Sequence, residues 1–240
     1  MGAEVELSVI LPTFNERESL PRLDAELQSA VEGLSAEIVV VDDGSPDGTA
    51  AWARGAPGPV PHLVIERAGK MGLASAVVAG ATASRGRFLV VMDADGSHPP
   101  SAIGPMVGAL RDDGAEFALG SRWMRGGSSP GLEGSRRLLS AGAALLARPL
   151  VRVSDPMSGL FAVRREVFFR AALAPRGFKI GLEVLVRCRP FPVAEIPITF
   201  RDRFAGESKL GRGEIRRYVE QLATLYRDRL STDRRASSTR

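Results

Sequence analysis

Two aspartates, Asp93 and Asp95, follow directly on the apolar run Phe88-Leu89-Val90-Val91-Met92. A buried strand that ends in a tight acidic turn puts both carboxylates at the strand's carboxyl end, where open α/β sheets bind ligands. Carboxylates at that spacing can hold one hard divalent cation, Mg2+ or Mn2+, which neutralises a nucleoside diphosphate. The chemistry indicated is transfer from a nucleotide-activated donor. Taken alone, the pair is more simply two solvated turn aspartates, because Asp is an ordinary turn residue. The neighbouring motifs change that.

Two other apolar runs end in polar tracts, Pro12-Thr13-Phe14-Asn15-Glu16 and Asp42-Asp43-Gly44-Ser45-Pro46-Asp47-Gly48-Thr49. Backbone groups and an aromatic ring there can hold a base and a ribose, and Asp42 can accept from a base N–H. Each tract is also a credible helix start, with Asn15 and Asp47 as N-caps. Three acidic clusters at three parallel strand ends converge in space, however, and crowded carboxylates need a compensating cation or ligand.

The elements that must position these residues are legible as alternation. Strand-like runs over 7–11, 37–41, 62–66, 87–92 and 117–120 alternate with helical patterns over 17–31, 47–54, 71–84 and 101–112. Continuous Val/Ile/Leu runs are strands buried on both faces, and each following helix supplies a right-handed crossover. The expectation is a mostly parallel, doubly wound α/β sheet. After 120 the rhythm breaks into a glycine-rich loop over 126–131, an apolar helix over 138–150 and a turn over 155–159. A last strand is expected over 193–200.

At 240 residues and 44% hydrophobic content the chain can bury one sizeable core. The single cysteine, Cys188, excludes an intramolecular disulfide and reads as core packing. No run approaches the ~20 apolar residues that cross a bilayer, and the opening residues lack the pattern of a secretory signal, so a cytoplasmic protein is expected. Lys/Arg and Asp/Glu total 32 and 28, of which residues 205–240 hold nine and five, so the preceding residues carry 23 of each sign. The basic excess lies in the tail, where Ile215, Val219, Leu222, Leu225 and Tyr226 share helical spacing. The division expected is a main folded unit over 1–211, a basic amphipathic helix over 212–230 and a disordered tail over 231–240. Such a helix either packs on the domain's own core or meets an anionic membrane surface. Neither stacking aromatics nor zinc spacing supports nucleic-acid binding.

The order PTFNE, VDDGSPDGT, Lys70-x-Gly-Leu-x-x-Ala, MDADGSHPP, GSR, DPMSG, GFK and GESKLG resembles family 2 inverting glycosyltransferases of the nucleotide-sugar (GT-A) fold. Within them it is similar to polyprenyl-phosphate (dolichol-phosphate) mannose synthases, over about residues 7–211. The motifs at 155–159, 177–179 and 206–211 point to the lipid-phosphate group. The resemblance implies a pocket for GDP-mannose lined by Pro12, Phe14, Glu16, Asp42 and Lys70, with Asp93 and Asp95 serving the metal and diphosphate. Some relatives carry a ligating amide two residues after the second aspartate. Here that position is Ser97, so either Ser97 or a water completes the metal shell.

The resemblance also places Arg122, Arg136, Lys179 and Arg203 around the phosphate of a polyprenyl or dolichyl acceptor. Guanidinium forks match phosphate oxygens bidentately. An ionised acceptor phosphate needs no general base, which agrees with the lack of an E-D pair or a Q-x-x-R-W motif. His98 is expected to order the turn before Pro99-Pro100. Such a chain would work peripherally at a membrane, alone or with small membrane partner subunits. Two other readings share these features: a lipid-phosphate transferase using UDP-glucose or another UDP-sugar, and a catalytically silent nucleotide-binding subunit that docks on membranes.

Overall fold

The computed structural model describes residues 4–130, 134–174, 179–204 and 212–237. Seven strands form one sheet in the order β3-β2-β1-β4-β6-β5-β7. They are β1 (Leu7–Thr13), β2 (Ala36–Asp42), β3 (His62–Glu66), β4 (Phe88–Val91), β5 (Phe117–Ser121), β6 (Phe161–Arg164) and β7 (Val193–Pro197). Strands β1 to β4 pair in parallel, as does β5 with β7. Strand β6 runs antiparallel to both of its neighbours, β4 and β5. The mixed sheet is the α/β architecture the alternation predicts, with one reversed strand the sequence pattern does not reveal.

The helices are α1 (Leu20–Ala30), α2 (Thr49–Arg54), α3 (Leu73–Ala83), α4 (Ile103–Arg111), α5 (Gly134–Ala147), α6 (Arg165–Phe168), α7 (Ile180–Arg187) and α8 (Arg212–Ser237). Because successive side chains of a strand point to opposite faces, each central strand feeds two cores. Ile10, Val39, Val41, Leu89 and Val91 pack with α3, α5, α7 and α8. Val9, Leu11, Ile38, Val40, Val90 and Met92 pack on the other face with α1 and α4. Fixed from both sides, β1, β2 and β4 hold their carboxyl ends in one row.

Helix α8 packs on the core by one face and exposes another. Tyr218, Leu222 and Leu225 are buried in the core, and the Tyr218 and Tyr226 hydroxyls donate to the Ala143 and Leu146 carbonyls of α5, both at 2.7 Å. Ile215, Val219 and Leu230 are exposed, as are Leu145 and Leu146 on α5. The helix runs to Ser237, whereas the sequence pattern ends it at 230 and expects a disordered tail. Among the described residues, no helix is long and apolar enough to cross a membrane.

Candidate active site

The acidic turn after β4 is built around Asp95. Its Oδ1 accepts from the Ser97 amide at 3.0 Å and the Ser97 hydroxyl at 2.6 Å, closing a tight Asx turn. Gly96 sits at φ +79, and a Cβ there would collide with the Phe204 ring. The segment after β7 is laced to the same turn: the Arg201 and Phe204 amides donate to the Ser97 and Asp95 carbonyls, each at 2.9 Å. From the other side, the Ser19 hydroxyl donates to the Ala94 carbonyl at 3.0 Å. Arg203 completes the enclosure, its Nε 2.9 Å from Asp95 Oδ2.

The two aspartates are therefore unequal. The Asp93 side chain is 36% exposed and Asp95 only 10%, so Asp93 offers the more open carboxylate and Asp95 the braced one. Ser97 is fully buried and donates to Asp95, which makes it a brace of that carboxylate. His98 lies behind the turn, where its Nδ1 accepts from the Asp93 amide at 3.3 Å and its ring meets Phe200 edge-on at 5.3 Å. Burial pushes the His98 imidazole down, against the pull of Asp93 and Asp95, and Arg122 and Lys179 push it further. A ring held neutral in this way orders the turn, as its place in the sequence suggests. Gly159 packs against both the ring and the acidic turn: a Cβ there would lie 3.0 Å from His98 Cε1 and from Asp93 Oδ2.

The ends of β1 and β2 are stitched together beside this turn. The amides of Asn15, Glu16 and Arg17 donate to the Ser45 hydroxyl, the Thr49 hydroxyl and Asp47 Oδ2 at 2.9, 3.0 and 3.0 Å. Asn15 takes a left-handed φ of 59, which Asn tolerates better than most residues. Pro12 lies in β1, paired with Val41, and Glu16 Oε2 accepts from the Ser19 hydroxyl at 2.9 Å. Asp42 is fully buried. Its Oδ1 accepts from Thr13 and Ser45 hydroxyls at 2.9 and 2.6 Å, and its Oδ2 from the Ser45 amide at 2.8 Å. These bonds make Asp42 the organiser of the turn and leave only the second lone pair of Oδ2 for a base. Lys70 Nζ stands 4.5 Å from the centre of the Phe14 ring.

Arg122 follows β5 and is almost buried. Its Nε and Nη2 meet Asp155 Oδ2 and Oδ1 at 2.7 and 2.8 Å, and its guanidinium lies over Phe200 and Trp123. Asp155 thus aims Arg122, a role its position in the DPMSG motif did not disclose because the two are far apart in sequence. Lys179 Nζ donates to the Met157 carbonyl at 2.7 Å, two residues from Gly159. The Arg136 side chain and residues 206–211 lie outside the described residues. Motif reasoning names the stretch 155–159 without giving Asp155 or Gly159 a role, and it does not single out Phe200.

The sequence model of the family described as Glycosyl transferase family 2 matches residues 8–169. The dolichol-phosphate mannosyltransferase of Pyrococcus furiosus is 42% identical over 225 residues, covering 92% of this chain and 64% of the relative, so the chain spans less than two thirds of that protein. That of Mycosarcoma maydis is 38% identical over 237 residues, covering 94% of this chain and 80% of the relative. Among solved structures, glucosyl-3-phosphoglycerate synthase from Mycobacterium tuberculosis, in complex with Mn2+, UDP-glucose and glycerol 3-phosphate, superposes with a TM-score of 0.66 at 25% identity, covering 95% of this chain and 80% of that one. The match runs from β1 through the acidic turn and β6, and the chain belongs to glycosyl transferase family 2.

Proposed function

We propose that this enzyme transfers mannose from GDP-mannose to a polyprenyl or dolichyl phosphate with inversion at the anomeric carbon. The observation that carries the reading is the approach of cations to the acidic turn, Arg203 on Asp95 Oδ2 and Arg122 over the Phe200 ring that His98 also meets, in a chain 42% identical to a dolichol-phosphate mannosyltransferase. A carboxylate set facing a cation set fits two phosphate-bearing substrates in one cleft. A silent nucleotide-binding subunit has no need of both.

The turn suits a hard divalent ion, because Asp93 and Asp95 offer only oxygen donors and the Asp93 side chain is 36% exposed. When bound, Mg2+ or Mn2+ supplies positive charge against the leaving diphosphate; the Mycobacterium tuberculosis structure contains Mn2+ with its nucleotide sugar. The remaining work falls to the chain's own residues. Phe14, Glu16, Asp42 and Lys70 line the nucleotide side, and Arg122, held by Asp155, receives the acceptor phosphate with Lys179, Arg203 and Arg136. A phosphate oxygen of the acceptor forms the new bond to the anomeric carbon as the bond to the nucleoside diphosphate breaks on the opposite face. No proton leaves the nucleophile, so no side chain serves as general base. Burial of Arg122 strengthens its hold on a desolvated phosphate.

The exposed apolar residues of α5 and α8, next to the basic residues of α8, support docking on an anionic membrane where the lipid acceptor resides. The reading is tested by supplying purified protein with GDP-mannose, UDP-glucose and a short polyprenyl phosphate in Mg2+ or Mn2+. Mannosyl lipid phosphate is the expected product. Glucosyl transfer in its place would move the donor to the UDP-sugar class, and release of free sugar without lipid product would remove the acceptor.

A further inference from the structure

We propose that Asp43 is a positioning residue for the donor nucleotide, holding the loop over 67–72 so that Lys70 stays against Phe14. The inference rests on the nucleotide-sugar reading above. Asp43 is nearly fully buried at the end of β2, one residue beyond Asp42. Its Oδ2 accepts from the amides of Met71 and Gly72 at 3.1 and 2.9 Å, and its Oδ1 takes Arg67 Nε at 2.5 Å. Arg67 in turn donates to the Ser75 hydroxyl at 2.8 Å and the Gly72 carbonyl at 3.1 Å. The backbone follows the same route: the Asp43 amide donates to the Thr13 carbonyl at 3.0 Å, and the Arg67 amide to the Asp42 carbonyl at 2.8 Å. One carboxylate therefore ties β1, β2 and the β3–α3 loop together. Contact is so close that a Cβ at Gly44, itself at φ +71, would lie 3.1 Å from Gly69 Cα.

Lys70 is at the crest of this loop, 4.5 Å from the Phe14 ring centre. The loop has no regular structure of its own and contains Gly69 and Gly72, so its order depends on the anchor. Released, it would have to be ordered by the ligand, at the expense of affinity. Asp43 reaches the donor only through the loop, which distinguishes it from Lys70 and Phe14.

The test is calorimetric titration of GDP and UDP, each with Mg2+, into wild type, Asp43→Asn, Lys70→Ala and the double variant. Asp43→Asn and Lys70→Ala should each weaken the diphosphate that wild type binds by about tenfold, and the double variant should be no weaker than about the weaker single, because two changes on one path do not add. KM for polyprenyl phosphate should shift by less than about twofold, because Asp43 holds the loop over 67–72 whereas Arg122 is held by Asp155. Unaltered affinity in Asp43→Asn, or losses that multiply in the double variant, would overturn the inference. Should Asp43→Asn not fold, Arg67→Gln removes the same clasp from the loop side and is judged by the same outcomes. Wild-type protein that binds neither diphosphate would remove the donor reading and this inference with it, whereas failure of the variants alone removes only the inference.

Discussion

Asp95 holds a turn with the same two oxygens that are proposed to face a ligand. Ser97 occupies one and Arg203 the other, so the carboxylate is oriented before any substrate arrives. Removing it should abolish the braced acidic pair: Asp95→Ala is expected to lower transfer by on the order of 10²–10³, the usual loss when one charge-stabilising group is deleted. Chelation of divalent metal should do the same to wild type, and full turnover of either in excess chelator would defeat the metal assignment. Arg203 makes a sharper case. Its guanidinium sits on Asp95 Oδ2, where a cation would also bind, and this ties a proposed acceptor residue to the donor side. Arg203→Ala should therefore bind Mn2+ as well as or better than wild type while forming less mannosyl lipid phosphate. Parallel loss of both, measured by calorimetry and product formation, would place Arg203 on the metal side only. At this scale the sequence discloses what lies within one short motif, such as Asp93 and Asp95. It does not disclose Asp155 as the partner of Arg122, or Asp43 as the anchor of Lys70, because those pairs are made by the sheet and not by spacing.

The elements that sequence patterning finds are those with a long enough signal. β1, β2 and β4 are apolar runs followed by clear helical periods, and their carboxyl ends carry the motifs. β6 is only four residues, Phe161–Arg164, behind a turn-forming Ser158-Gly159, and its antiparallel direction comes from pairing with β4 and β5. α7, Ile180–Arg187, is a short apolar stretch whose helical period cannot be separated from a buried strand. α8 is legible as amphipathic, but its pattern does not say which apolar residues meet the core. The structure divides them: Tyr218, Leu222 and Leu225 go inward, and Ile215, Val219 and Leu230 stay exposed beside Leu145 and Leu146. The expected outcome is that Val219→Asp, together with Arg216→Ser and Arg217→Ser, reduces sedimentation with anionic vesicles at low salt while leaving thermal stability nearly unchanged. Each basic residue near the surface is worth roughly 1 kcal/mol, screened as salt rises. Leu222→Asp should instead destabilise the fold. Equal vesicle binding by wild type and the triple variant at low salt would retire the docking face.

Across the whole molecule the sheet separates function from anchorage. The carboxyl ends of β1, β2 and β4 carry the residues proposed to face ligands, and the amino ends are closed by a buried network around Glu37. Its Oε1 accepts from the Ser8 hydroxyl at 2.7 Å and the Arg85 amide at 2.6 Å, its Oε2 from Arg85 Nη2 at 2.9 Å, and Ser8 Oγ accepts from the Gly86 amide at 2.8 Å. The network therefore joins the starts of β1 and β2 to the chain entering β4. Burial pushes the Glu37 carboxyl up, but the Arg85 amide, the Ser8 hydroxyl and the Arg85 guanidinium together hold it below the ordinary carboxylate value. A carboxylate depressed in the folded state stabilises fully above its unfolded-state value of about 4.3, and that contribution is lost as pH falls through the lower folded-state value. Glu37→Gln keeps the shape and removes the charge. At neutral pH it should cost about 1–3 kcal/mol, as expected for a hydrogen-bonded charge, even though the Arg85 side chain is largely solvated. The difference from wild type should shrink as acid protonates Glu37 in the native protein. Denaturant unfolding of both proteins at neutral pH and at a series of pH values below about 4.3 measures it. A gap that stays constant down to the acid limit would show that Glu37 contributes packing alone, and that the amino edge of the sheet is held by its strands and not by this charge.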